Sequence, residues 1–140
     1  MIRLNRVLYS SIHYPGDYGF IPQTYYEDDD PLDILVMVNE PTFPGCIIEA
    51  RPIGLFRMKD KDAPDDKILA VPASDPLFGD YHDISDIPRH FLQETAHFFA
   101  VYKDLEGVYV KTLGWGNAER AKERIRHAVD LYQKRFGQSK

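Results

Sequence analysis

Ile53-Gly54-Leu55-Phe56-Arg57-Met58-Lys59-Asp60-Lys61-Asp62-Ala63-Pro64-Asp65-Asp66-Lys67-Ile68-Leu69-Ala70-Val71 is the stretch that decides the fold. Two runs, Ile53 to Met58 and Ile68 to Val71, have the apolar, β-branched make-up of short strands, and Asp62-Ala63-Pro64 between them is a turn signal. The chain therefore reverses at the turn, and the hairpin brings Asp60, Asp65 and Lys67 to one end. Carboxylates and an ammonium at one strand end suit a metal bound to an anionic phosphate, with the oxygens on the ion and the lysine on a phosphate oxygen. An ordinary charged hairpin tip accounts for the same residues, so a second signal is needed.

That signal is Glu27-Asp28-Asp29-Asp30-Pro31-Leu32-Asp33, another acidic stretch running into an apolar strand, Ile34 to Val38. In extended chain Asp28 and Asp30 share parity and point the same way; Pro31 interrupts pairing and Asp33 stands at the mouth of the strand. Carboxylates so crowded repel one another unless cations sit among them, and hard divalent ions such as magnesium take oxygen ligands and recruit substrate phosphates. A helix-loop-helix calcium loop fails on the residues. Leu32 stands where an oxygen ligand belongs, Asp33 where the turn glycine belongs, and Asn39 where the bidentate glutamate belongs.

Working outward, Val7 to Ile12 and Ile47 to Ala50 add strand-like runs, separated by Pro15-Gly16, Pro31 and the segment from Pro41 to Gly45. The pattern reads as a meander suited to a small closed or partly open barrel. Cys46 is expected to pack in a strand. The period then changes: Phe91, Thr95, Phe98, Phe99 and Tyr102 recur at spacings of three and four, the mark of an amphipathic helix. Asp86-Ile87-Pro88 supplies its start, with Asp86 available as the cap. Val108 to Leu113 reads as a further strand. Asn117 caps a last helix whose Ala121, Ile125, Ala128, Val129 and Tyr132 form an apolar stripe ending at Gly137, with Gln138 to Lys140 frayed.

At 140 residues, 44% of them hydrophobic and 13% aromatic, the chain suits a single domain, 1–140, with a real core. A formal charge of −5 argues against a duplex nucleic-acid binder. One cysteine, Cys46, precludes an internal disulfide, and there is no leader pattern or membrane-length apolar run, so a cytoplasmic location is the expectation. The five histidines show no paired-ligand spacing for zinc. Neither a G-x-S-x-G elbow nor a G-x-x-x-x-G-K-[ST] loop is present.

Read from Asp28, the acidic stretch and its strand resemble the D-[S/G/D/N]-D-P-x-D-[hydrophobic] signature of the soluble (family I) inorganic pyrophosphatases. Tyr18-Gly19-Phe20-Ile21-Pro22 precedes it at the family's spacing. Arg51-Pro52-Ile53-Gly54, Met58-x-Asp60, Asp65-Asp66-Lys67-Ile68, His97-Phe98-Phe99, Tyr102 to Glu106 and Gly114-Trp115 follow in order. The resemblance implies an α+β, mainly β fold: an OB-type five-stranded barrel with two packed helices. It implies magnesium-dependent hydrolysis of pyrophosphate to two orthophosphates, several ions per site, by metal-activated water.

The residue roles are carried over by the same resemblance. Asp28, Asp33 and Asp65 would hold the first ion, Asp33 also touching a second; Asp60 and Asp65 would hold an ion that arrives with substrate. Asp30 would orient or deprotonate the attacking water, with Tyr18 hydrogen-bonding near it. Arg6, Lys67, Tyr102 and Lys103 would grip phosphate oxygens. A homo-oligomer, hexamer or dimer, is implied, with no nucleic-acid or membrane partner. Upstream of the arginine matched by Arg6 the family carries strands with a phosphate-binding lysine and two glutamates, for which Met1 to Asn5 offer no counterpart. The expectation is thus a barrel whose N-terminal strands are missing. The alternative to a working hydrolase is a shortened, weak or inactive metal- and phosphate-binding barrel or assembly subunit.

Overall fold

The computed structural model describes residues 14–27 and 29–137; the run Val7 to Ile12 and the tail Gln138 to Lys140 lie outside them. The elements are β1 (Asp17–Phe20), β2 (Asp33–Val36), β3 (Ala50–Asp60), β4 (Ala63–Pro64), β5 (Lys67–Pro72), α1 (Arg89–Val101), β6 (Val110–Gly116) and α2 (Ala118–Phe136). They form one sheet in the order β1-β2-β5-β3-β4, with β6 also on β3, and among the described residues the path is open. This is the partly open OB-type barrel with two packed helices that the sequence implies. It is not a simple meander: β2 pairs β5 in parallel, Asp33 beside Lys67 and Leu35 beside Leu69, whereas the other pairings are antiparallel.

Side chains on β3 and β5 alternate between two cores, as the period of a strand requires. Phe56, Met58, Leu69 and Val71 join Leu35, Phe98 and Phe99 in one buried cluster under α1. Leu55 and Ile68 join Tyr26, Leu32, Ala121 and Ala128 in a second under α2. Burial on both faces explains why both strands are almost continuously apolar. The small side chains of Ala121 and Ala128 are fully buried where α2 meets the sheet. On β6 the register against β3 shifts between Arg57 and Met58, and Gly114 takes φ +99°, a conformation open to glycine at little steric expense.

The chain does reverse here, but the turn is Lys61-Asp62, both at positive φ, and Ala63–Pro64, expected in the turn, already pair back on Asp60 and Lys59. Asn117 caps α2 by accepting from the Arg120 N–H at 3.0 Å. Trp115 packs on Phe56 with ring centroids 4.9 Å apart and donates to the Leu92 carbonyl, tying β6 to α1.

Four further expectations need correction. Asp86 does not cap α1, which starts behind Pro88 with no side-chain cap. Instead Asp86 closes a capping box on the preceding 3-10 turn Ile84–Asp86, accepting from the His82 and Asp83 N–H groups. Ile47 to Glu49 are not a strand: Ile47 is 86% exposed and pairing starts at Ala50. Cys46 accordingly sits half-buried in irregular chain after a turn. The last strand runs 110–116 rather than 108–113, because Gly107 at φ +72° first ends the turn after α1.

Two measurements test this packing. Phe99 is fully buried between Phe56, Phe98 and Tyr102, so Phe99→Ala is expected to lower unfolding free energy by about 3–5 kcal/mol in a denaturant titration. Backbone N–H groups hold the Asp86 carboxyl below its ordinary range. Its contribution to stability is therefore present above the ordinary carboxyl pKa and is lost as pH falls through the lowered folded-state value. Asp86→Asn should depress Tm near neutrality and converge with the unaltered protein in strong acid.

Candidate active site

Parity along the strands brings the polar residues to one end of the inner face. Asp33 lies two positions from Leu35, Asp60 two from Met58, and Lys67 two from Leu69, so all three share the face of the first core. Tyr18 pairs with Leu35 across the β1–β2 ladder and joins the same face. Asp66 takes the opposite parity, while Asp65 returns to the side of Lys67.

The result is one open cleft of about 780 Å³ lined by Tyr18, Asp30, Asp33, Asp60, Asp65, Lys67, Tyr102 and Lys103. These are eight of the ten expected site residues; Arg6 and Asp28 lie outside the described residues. Both acidic segments therefore meet. The cleft also takes in Tyr14, Glu27, Asp29, Lys61 and Glu106, which sequence reasoning did not single out. Glu106 was within reach, since it closes the motif that starts at Tyr102. Tyr14 carried no strand signal; its ring stacks on Tyr18 at 4.7 Å.

Lys67 holds the floor. Its ammonium is 3% exposed and lies 2.7 Å from Asp33 Oδ2, 3.0 Å from Asp65 Oδ1 and 2.7 Å from the Tyr18 hydroxyl. The rings of Tyr18 and Phe99 lie 5.3 and 5.7 Å away. Burial pushes this ammonium towards losing its proton, but Tyr18, Asp33 and Asp65 outweigh it and hold the pKa well above the ordinary lysine value. Burial likewise raises the Tyr18 and Tyr102 hydroxyls, with Lys67 opposing in both cases. Both phenols are therefore protonated donors at neutral pH. Lys103, just past α1, pairs with Asp60 Oδ2.

The segment bearing Asp30 is braced rather than extended. Ile21 N–H donates to Leu32 O at 2.9 Å, Leu32 N–H to Thr24 Oγ1 at 2.9 Å, and Tyr26 N–H to Asp30 O at 2.9 Å. Asp29 turns through φ +67°, so the chain is not extended at this residue; the expected alignment of Asp28 with Asp30 rests on Asp28, which lies outside the described residues.

The donor set fits divalent cations. Seven carboxylates face three ammoniums in the cleft, an excess of negative charge that would repel a polyanion unless cations entered with it. Asp60 Oδ1 is buried with no hydrogen-bond partner among the described residues, a ligand position of the kind an ion satisfies. Among the described residues no three Asp, Glu, His or Cys side chains enclose an ion by themselves. Magnesium does not ask for that: one or two carboxylates plus water and substrate phosphate are its usual shell.

The sequence pattern of inorganic pyrophosphatase matches residues 1–133. The curated inorganic pyrophosphatase of Haloferax volcanii is 55% identical over 134 residues, covering 95% of this chain and 76% of that protein. That of Sulfolobus acidocaldarius is 51% identical over 132 residues, covering 92% and 76%. The solved inorganic pyrophosphatase from Thermus thermophilus superposes with a TM-score of 0.89 at 42% identity, covering 94% of this chain and 77% of that one. A match over nearly the whole chain, at identities well beyond a shared fold alone, makes this chain a member of the inorganic pyrophosphatase family.

Proposed function

We propose that this protein hydrolyses inorganic pyrophosphate to two orthophosphates with divalent cations, magnesium first among them, in the cleft between β1, β2, β5 and the turn after α1. The observation that carries the reading is the convergence of both acidic segments on Lys67 and Lys103 in one cleft. Family membership supports the reaction.

Pyrophosphate is a dense polyanion that repels nucleophiles. Bound between the carboxylates, divalent cations supply charge neutralisation and make water more acidic. Asp33, Asp60 and Asp65, with Asp28 assigned by the family motif, would hold them. Asp30 orients the attacking water and accepts its proton, since it lies on the cleft wall and no Ser, Thr or Cys is among the described residues that line the cleft. Tyr18, a protonated donor beside Lys67, hydrogen-bonds near that water.

Lys67 is paired with Asp33 and Asp65. With cations held by those carboxylates, its ammonium would be available to a phosphate oxygen. Lys103, Tyr102 and, by the family motif, Arg6 stabilise charge that grows on the leaving phosphate. We assign the chain one domain and, by family analogy, a homo-oligomeric assembly in the cytoplasm. No helix among the described residues is long and apolar enough to cross a membrane.

Phosphate release from pyrophosphate, measured with colorimetric detection, should depend on added magnesium and vanish with a chelator. Release that persists after chelation would remove cations from the reaction. Asp30→Asn should lower kcat by about 10²–10⁴-fold with KM little changed, and an unchanged kcat would take the proton-accepting role from Asp30.

A further inference from the structure

The groups that hold the two acidic segments from behind do not line the cleft. Asp66, between Asp65 and Lys67, points to the α2 side and is 4% exposed. Its Oδ1 accepts from the Met58 N–H at 3.2 Å, and its Oδ2 from the Tyr26 hydroxyl at 3.0 Å. Arg124, on α2, reaches Asp66 Oδ2 at 3.1 Å and donates to the Tyr26 hydroxyl at 2.5 Å. Tyr26, 1% exposed, opens the acidic turn, donating through its N–H to Asp30 O and accepting at its carbonyl from the Asp29 N–H. One guanidinium thus ties together two residues that lie 98 and 58 positions before it in sequence, the first fixing the turn that carries Asp30, the second neighbouring Asp65 and Lys67.

We infer that Arg124, with Asp66 and Tyr26, is a positioning unit that keeps the Asp30 turn and the Asp65–Lys67 strand in register for cation binding. The inference rests on the reading of the cleft as a divalent-cation and pyrophosphate site. The physical argument is one of satisfaction. A buried carboxylate stripped of its guanidinium is driven to rotate towards water, and a rotation at position 66 moves its neighbours at 65 and 67. Loss of the Tyr26 hydroxyl unlatches the turn from the strand while leaving its ring in the core. Groups that orient metal ligands in this way typically alter metal affinity by about 10–100-fold when removed.

The test is a calorimetric titration of Mn²⁺ into the whole protein without pyrophosphate, at a temperature where all variants are folded. Arg124→Met and Tyr26→Phe should each weaken Mn²⁺ binding by about 10–100-fold. Val71→Ala, a fully buried position at the far end of β5, should lower Tm while leaving Mn²⁺ affinity within about twofold. Tyr26→Phe deletes a single oxygen, so it keeps the test open if Arg124→Met folds poorly. Unchanged affinity in the network variants, an equal loss in Val71→Ala, or no Mn²⁺ binding by the unaltered protein overturns the inference. Folded protein that binds Mn²⁺ yet releases no phosphate from pyrophosphate would defeat the hydrolytic reading and leave this one standing.

Discussion

The Lys67 ammonium is the constraint on which the site depends. A buried charge carries a desolvation penalty of several kcal/mol unless it is paired and hydrogen-bonded, and here two carboxylates and a phenol surround it. Each partner comes from a different piece of chain, Tyr18 from β1, Asp33 from β2 and Asp65 from the turn before β5. The parallel pairing of β2 with β5 sets Asp33 directly beside Lys67. Topology and electrostatics therefore specify each other: the pairing places the charges, and the charges penalise any other register.

The same alternation that builds the core separates function from support. Odd positions 65 and 67 turn to the cleft, whereas Asp66 turns to α2 and meets Arg124. Among the described residues the cleft side keeps an excess of carboxylates and an unsatisfied Asp60 oxygen, which suits the proposed uptake of cations. On the far side every oxygen of Asp66 has a partner. Apolar burial under α1 and α2 holds these two layers in place, so the acidic end needs no cage of its own.

Much of this was legible in the sequence because it follows from local periods. The hairpin around Asp62, the helix from Phe91 to Tyr102 and the Asn117 cap are set by turn chemistry and by spacings of three and four. The family motif led to eight residues that share the cleft. What escaped depends on tertiary contact. Asp86 has a suitable cap side chain, but the 3-10 turn that it closes engages its Oδ2 first. Ile47 reads as strand by composition, yet no strand among the described residues pairs with it, and it lies exposed. Tyr14 and Arg124 gain meaning only from partners 4 and 98 residues away in sequence, found on other elements.

Diffraction from crystals grown with Mn²⁺, with anomalous scattering used to locate the ions, tests the central claim most directly. Peaks within the cleft, ligated by Asp33, Asp60 and Asp65 with Lys67 displaced from at least one carboxylate, are the expected result. Ions absent from the cleft, or bound only elsewhere on the surface while Lys67 keeps all three partners, would contradict the account.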